Sequence, residues 1–237
     1  MSVSYGSCSR KLPPLIGTFR RSPLAGSGIF ISGLIFGISW SLIPRYGQQV
    51  YLTEAHIGLL MLLISVGTLL FQWPLGWLSD REGRRKAIIL SSVVSFTIAL
   101  FIAVTGASGF LIFPLILLFG GFSTPLYSLC VALMNDQLSR DEMVQAAGAI
   151  VVYYGTGSAL GPIVGGYFMA HLGPSGLFYS IALPLALYLI FVFLNKRLAK
   201  KLPVTERRNF KIYLRTTTIA FQVLGKVKRP LKRNKEK

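Results

Sequence analysis

The sequence predicts an all-α membrane protein of six transmembrane helices, and three observations carry that prediction. The first is the solvent the chain is written for. Across 237 residues it is 52% hydrophobic and 14% charged, with mean hydropathy +0.58, too apolar for an ordinary water-soluble domain. The second is length. Crossing about 30 Å of hydrocarbon takes about 20 mostly apolar residues in a helix, and such stretches run over 24–44, 57–77, 88–106, 110–134, 145–171 and 177–195. A soluble fold of this size has no interior that could hide six helices of that length. The third is where the charge falls. A formal charge of +17 is what a nucleic-acid binder carries, but the positions of the 25 Lys and Arg give it another origin. Arg10, Lys11, Arg20 and Arg21 precede the first span; Arg81, Arg84, Arg85 and Lys86 lie between the second and third; Arg140 lies between the fourth and fifth; fifteen more follow from Lys196, and Arg45 alone falls on the other side. That is the positive-inside bias. It predicts an inner-membrane protein with both termini in the cytoplasm, and it leaves no excess charge to argue for nucleic acid as a partner.

Taken in order, residues 1–23 read as a cytoplasmic lead-in, because Pro13, Pro14 and Pro23 stand among Ser, Gly and Arg in linker composition. The opening MSVSYGSCSRKLPP has no apolar core, so the first span is expected to serve as the insertion signal. Short uncharged turns at Gly106 to Gly109 and Gly173 to Gly176 make spans three and four, and five and six, antiparallel neighbours. Ser139, Arg140, Asp141, Glu142 fits a capping box that starts the fifth helix. Cys8 in the lead-in and Cys130 inside a span are not placed to form a disulfide. The tail, 196–237, sets fifteen basic residues against Glu206 and Glu236 and is expected at the anionic inner membrane face. Phe210, Leu214, Phe221 and Leu224 suit a helix there, while alternation of Phe210, Ile212 and Leu214 suits a strand equally well.

An internal repeat emerges at an offset of 90 residues: Gly58, Gly67, Gly76 and Gly83 fall on Gly148, Gly157, Gly166 and Gly173. Spans one to three then map onto spans four to six. A unit of three spans reverses direction through the bilayer, so the copies are expected as two inverted three-helix repeats.

The most informative segment is Gly76, Trp77, Leu78, Ser79, Asp80, Arg81, Glu82, Gly83, Arg84, Arg85, Lys86. Gly76 lets a helix end approach another backbone. Gly83 permits a tight reversal. Asp80 can accept from Arg84 or face the positive end of another helix, and Arg84, Arg85 and Lys86 can hold the loop at anionic lipid. This loop resembles the signature of the major facilitator superfamily (MFS), which runs Gly, any residue, Leu, small, Asp, two of any kind, Gly, Arg, Arg or Lys; every position is filled. The resemblance implies a transporter of small solutes that works by alternating access. It also implies that the loop latches two halves of the molecule on the cytoplasmic side, with Asp80 as the latch residue.

A second stretch puts Gly157, Gly161 and Gly165 at four-residue spacing with Pro162 and Gly166 beside them, a face that permits close helix contact and a proline that bends its helix. It resembles the Gly-rich motif of proton-coupled antiporters in the same superfamily. Within that superfamily the likeness is to the second half of YcaD-like bacterial members. It rests on Leu126, Tyr127, Ser128, Leu129 with Asn135 and Asp136, on Arg215, Thr216, Thr217, and on the lack of an Arg in span four. A full transporter of this kind has twelve spans. Six are present, so the fold class implied is half of an MFS fold, and a companion bundle is the expected partner, either a separate chain or a second copy.

By the superfamily's arrangement spans one and four line a central cavity with two and five beside them, which nominates Ser39, Trp40, Ser123, Thr124, Tyr127, Tyr153 and Tyr154 for the substrate pathway. No Asp, Glu, Lys, Arg or His stands mid-span, so no ion-coupling group is expected in this half. An enzyme is not expected: His56, His171 and the two cysteines form no metal-ligand pattern, and neither a phosphate loop nor a nucleophile with its base is present. No cofactor or metal is expected. The competing reading is a non-transporting membrane remnant or scaffold.

Overall fold

The structure, a computed structural model, describes residues 22–106, 109–138 and 140–194, with only the backbone of residues 109, 140–142, 144 and 145. Six helical spans are long and apolar enough to cross a membrane: Pro23–Gln49, Glu54–Glu82, Arg84–Thr105, Ile112–Asn135, Ala146–Leu172 and Gly176–Leu194. No strand occurs among the described residues. In lipid every backbone donor must be satisfied within its own segment, which leaves the helix as the available form for these stretches. Spans one, two and five overrun the apolar runs read from sequence at both ends, while span four starts at Ile112, two residues after the predicted 110. The second ends at Glu82, five residues past the predicted 77, because polar residues continue a helix freely once it leaves the hydrocarbon. The fifth begins at Arg140; the expected capping box, like the predicted tail and nearly all of the lead-in, lies outside the described residues.

The helix termini follow local chemistry. Thr53 caps the second span by accepting from the His56 amide at 3.4 Å, and its Oγ1 lies 2.7 Å from His56 Nδ1. Pro23 opens the first helix, where its missing N–H costs nothing. Gly83 separates spans two and three at φ 102°, and Gly106 and Gly173 end spans three and five at φ 59° and 66°, conformations that a Cβ would strain. Span four is two helices, Ile112–Ser123 and Pro125–Asn135, meeting at Thr124. Pro125 has no N–H to offer the Gly121 carbonyl, so the ladder is interrupted there.

The most extensive helix pairings join span one with five, two with four, and three with six. With lipid on the outside, apolarity alone does not bring helices together. Close backbone approach does, and small residues allow it. A Cβ on Gly161 would stand 2.7 Å from Leu34 O and Ile38 N, and one on Gly157 would collide with Phe30 O and Leu34 N. From the other side Gly33 and Gly37 abut the backbone of Tyr154 and Ser158. Span two approaches span four in the same manner: Gly67 abuts Leu117 O and Gly121 N, and a Cβ on Gly120 would stand 2.6 Å from Ile64 Cα. Gly165 packs on Leu42 and Ile38 side chains. Gly76 and Gly166 differ: a Cβ on either would meet nothing within 4 Å among the described residues, so none of those residues makes the close approach expected at Gly76.

Burial is uneven. At least half of the apolar window is buried in spans one, three, four and six, against 17% in span two and 22% in span five. Leu69, Leu70, Trp73 and Trp77 on span two, and Val151, Ile163 and Tyr167 on span five, are all at least half exposed.

Candidate functional site

Two regions gather the residues singled out from sequence. The first is a cavity of about 90 Å³ where spans one, two, four and five converge, lined by Ser32, Ile35, Phe36, Ser39, Trp40, Ile64, Phe119, Ser123, Thr124, Tyr127 and Tyr154. The positions on span one fall at 32, 35, 36, 39 and 40, a single helical face. The glycine contacts described above set its depth: Gly33 and Gly37 let span five come close enough for Tyr154 to reach Phe36. A row of rings results. Trp40 and Phe36 lie 5.7 Å apart, Phe36 and Tyr154 5.7 Å, and Tyr154 and Tyr127 4.7 Å, all tilted. On span four Ser123, Thr124 and Tyr127, at i, i+1 and i+4, share the face that lines the wall. Of the residues nominated for the substrate pathway, Ser39, Trp40, Ser123, Thr124, Tyr127 and Tyr154 line this cavity; Tyr153 does not, and packs against the bundle core. Ser32 and Phe36 were not nominated, although their spacing from Ser39 and Trp40 was a usable signal.

The polar side-chain groups of the wall are the hydroxyls of its serines, Thr124 and two tyrosines, with the Trp40 indole N–H. Ser32 Oγ donates to Gly28 O at 2.7 Å, whereas Ser39 Oγ has no hydrogen-bond partner among the described residues and Ser39 is only 5% exposed. The lining holds no Asp, Glu, Lys, Arg or His.

The second region is the signature loop. Arg84 is its centre: Nη1 lies 2.9 Å from Asp80 Oδ1 and donates to Ser79 Oγ at 3.3 Å, while Nε reaches Asp136 Oδ2 at 3.1 Å. Arg84 thus ties the end of span two, through the start of span three, to the end of span four. Arg85 Nη2 donates to the Val192 carbonyl at 2.9 Å, satisfying one of the acceptors left open at a helix C-terminus. Lys86 pairs with Glu82 at 3.3 Å, and the Arg81 guanidinium stacks 4.3 Å over Trp77. The three cations expected to face lipid therefore all have protein partners. The role of Asp136 as second acceptor for Arg84, 52 residues away, carried no local sequence signal. Of the predicted packing motif, Gly157, Gly161 and Gly165 face span one, while Gly166 does not. The helix runs through Pro162. No group of metal-ligating side chains occurs among the described residues.

Comparison with known proteins returns one family. The model of the Major Facilitator Superfamily matches residues 25–234. An uncharacterized MFS-type transporter, YcaD, from Escherichia fergusonii is 27% identical over 75% of this chain. Another, YE1530 from Yersinia enterocolitica, is 30% identical over 78%. The chain spans 46% and 47% of the length of these relatives, about half. Among solved structures, an auto-inhibited POT family peptide transporter superposes over 75% of this chain and 37% of its own, with TM-score 0.65 at 19% identity. The POT family transporter PepTSo does so with TM-score 0.64 at 16% identity over the same shares; at such identities the likeness concerns fold. With six apolar spans, a filled signature loop and a family match over most of its length, this chain belongs to the Major Facilitator Superfamily.

Proposed function

We propose that the chain is one six-span half of a secondary transporter that moves a small solute across the inner membrane by alternating access. In this reading both termini are cytoplasmic, and a second six-span bundle, from a separate chain or a second copy, closes the open side. The observation that carries the reading is the cavity at the convergence of spans one, two, four and five, beside the two spans left least buried. A wall of rings and hydroxyls that leaves Trp40 and Phe36 partly exposed is half of a binding site, and a half-site in lipid needs an opposite wall. The Asp80, Arg84, Asp136 cluster supports a latch at the cytoplasmic end. Its carboxylates are 68% and 53% exposed, so each pair contributes about 0.2–1 kcal/mol, weak enough to break during a conformational cycle. The inverted repeat belongs to the same proposal. It is supported by the match between Gly157 against Phe30 O and Leu34 N, and Gly67 against Leu117 O and Gly121 N.

A thiol at the cavity tests this without knowledge of the substrate. In a chain with both native cysteines replaced by Ala, Thr124→Cys should react with a membrane-impermeant maleimide from either side of oriented vesicles. Labelling from one side should be lost when the cytoplasmic latch is crosslinked shut. Reactivity from one face only, or from neither, removes alternating access and favours a non-transporting bundle.

A further inference from the structure

We propose that the wall formed by Phe36, Ser39, Trp40, Tyr127 and Tyr154 is a subsite for an uncharged aromatic solute bearing a hydrogen-bonding group, an assignment of substrate class that rests on the transport reading above. Three features converge on it. The first is the Ser39 hydroxyl. A serine inside a helix ordinarily returns its proton to the carbonyl one turn back, as Ser32 does to Gly28 on the same face of the same helix. Ser39 lines the cavity, is 5% exposed, and has no partner among the described residues. A buried hydroxyl left unpaired is unfavourable, and a polar atom on a bound solute satisfies it.

The second feature is the row of rings from Trp40 through Phe36 and Tyr154 to Tyr127, with centroids 4.7 to 5.7 Å apart and planes tilted by 40° to 56°. Tilted rings offer both faces and edges to an aromatic guest. They are not used up by packing within the chain, since Trp40 and Phe36 remain 44% and 38% exposed. The third is charge. The lining holds no Asp, Glu, Lys, Arg or His, so an ionic guest loses its hydration without gaining a counter-ion. Ring faces offset part of that loss for a cation and none of it for an anion. A neutral aromatic with one donor or acceptor is what these groups recognise.

Trp40 supplies the readout. The chain has three tryptophans, Trp40, Trp73 and Trp77, so W73F with W77F leaves Trp40 as the sole indole of the full chain, to be held in lipid nanodiscs. The probes are four nitroarenes of similar size that quench indole on contact: 4-nitrobenzyl alcohol, 4-nitrotoluene, 4-nitrobenzoate and (4-nitrobenzyl)trimethylammonium. The alcohol should quench saturably, and the two ions about tenfold more weakly or worse. Ser39→Ala should weaken the alcohol about fivefold, the size of one neutral hydrogen bond, and leave nitrotoluene unchanged. The proposal falls if the ammonium binds as well as the alcohol, if Ser39→Ala weakens both neutral probes equally, or if no probe saturates. Binding is read here without transport. One-sided labelling at Thr124→Cys together with the expected binding removes the transport reading and keeps the subsite, and two-sided labelling without binding does the reverse.

Discussion

At the scale of single residues the glycines divide by what lies against them, and the division has consequences for stability. Gly67 abuts the carbonyl of Leu117 and the amide of Gly121, while a Cβ on Gly155 would meet nothing within 4 Å among the described residues. Backbone cannot swing aside as a side-chain end can, so Gly67→Ala should lower stability by about 1–3 kcal/mol through overpacking. Gly155→Ala should leave it unchanged or raise it by about 0.5–1 kcal/mol, because alanine suits a helix interior better. Unfolding in mixed micelles monitored by circular dichroism compares the two. Equal effects would mean that spans two and four do not approach through Gly67. Arg84 is the other residue whose neighbours decide its role. Local sequence nominates Asp80, four residues away, but the guanidinium is fork-shaped and its Nε reaches Asp136 on another span.

Among the elements, span four loses a rung of its hydrogen-bond ladder at Pro125 while Thr124 keeps helical angles, φ −71° and ψ −43°. Thr124 separates two helices because Pro125 cannot donate to the Gly121 carbonyl, and the break lies where Ser123, Thr124 and Tyr127 reach the cavity. In lipid such interruptions are tolerated where neighbouring groups re-satisfy the backbone. Here the Ser91 hydroxyl donates to Phe122 O, next to the freed Gly121 carbonyl, and Thr68 Oγ1 joins the Thr124 amide on Gly120 O, at 3.3 Å. Pro125→Ala should join the two helices, slow amide exchange across residues 124–127, and reduce the two-sided labelling of Thr124→Cys. Unchanged exchange would show that the break is set by packing against span three and not by the proline. Span five is the opposite case: its helix continues through Pro162, while Gly157, Gly161 and Gly165 hold it against span one.

At the scale of the whole bundle the question is what covers spans two and five. Their apolar windows are 17% and 22% buried, and Leu70 and Ile163 are exposed, with Gly58, Gly76, Gly148 and Gly166 open on the same two helices. Packing among membrane helices favours such small-residue faces, and the proposed companion bundle would use them. With the native cysteines removed, Leu70→Cys and Ile163→Cys should form an oxidative crosslink between bundles in native membranes, whereas Ala99→Cys, fully buried in span three, should not. If neither exposed position crosslinks, to itself, to the other or to any membrane protein, lipid covers this side.

The sequence by itself determined the membrane, the number of spans and the family, because hydropathy, positive charge in loops and the Gly76 to Lys86 signature are properties of contiguous residues. It also reached six cavity residues among the seven nominated for the substrate pathway, through span membership and residue type, while it could not separate Tyr154 from its neighbour Tyr153 or bring in Phe36. Rotation about a helix axis is what decides those cases. A helix that is apolar all round carries little record of which side faces protein and which faces lipid. In this chain that rotation is set by Gly33, Gly37, Gly157 and Gly161 meeting backbone on the facing span. Tertiary structure alone therefore decided the pairing of one with five and two with four, the unpaired Ser39 hydroxyl and the reach of Arg84 to Asp136, since each depends on residues far apart in the chain being pressed together.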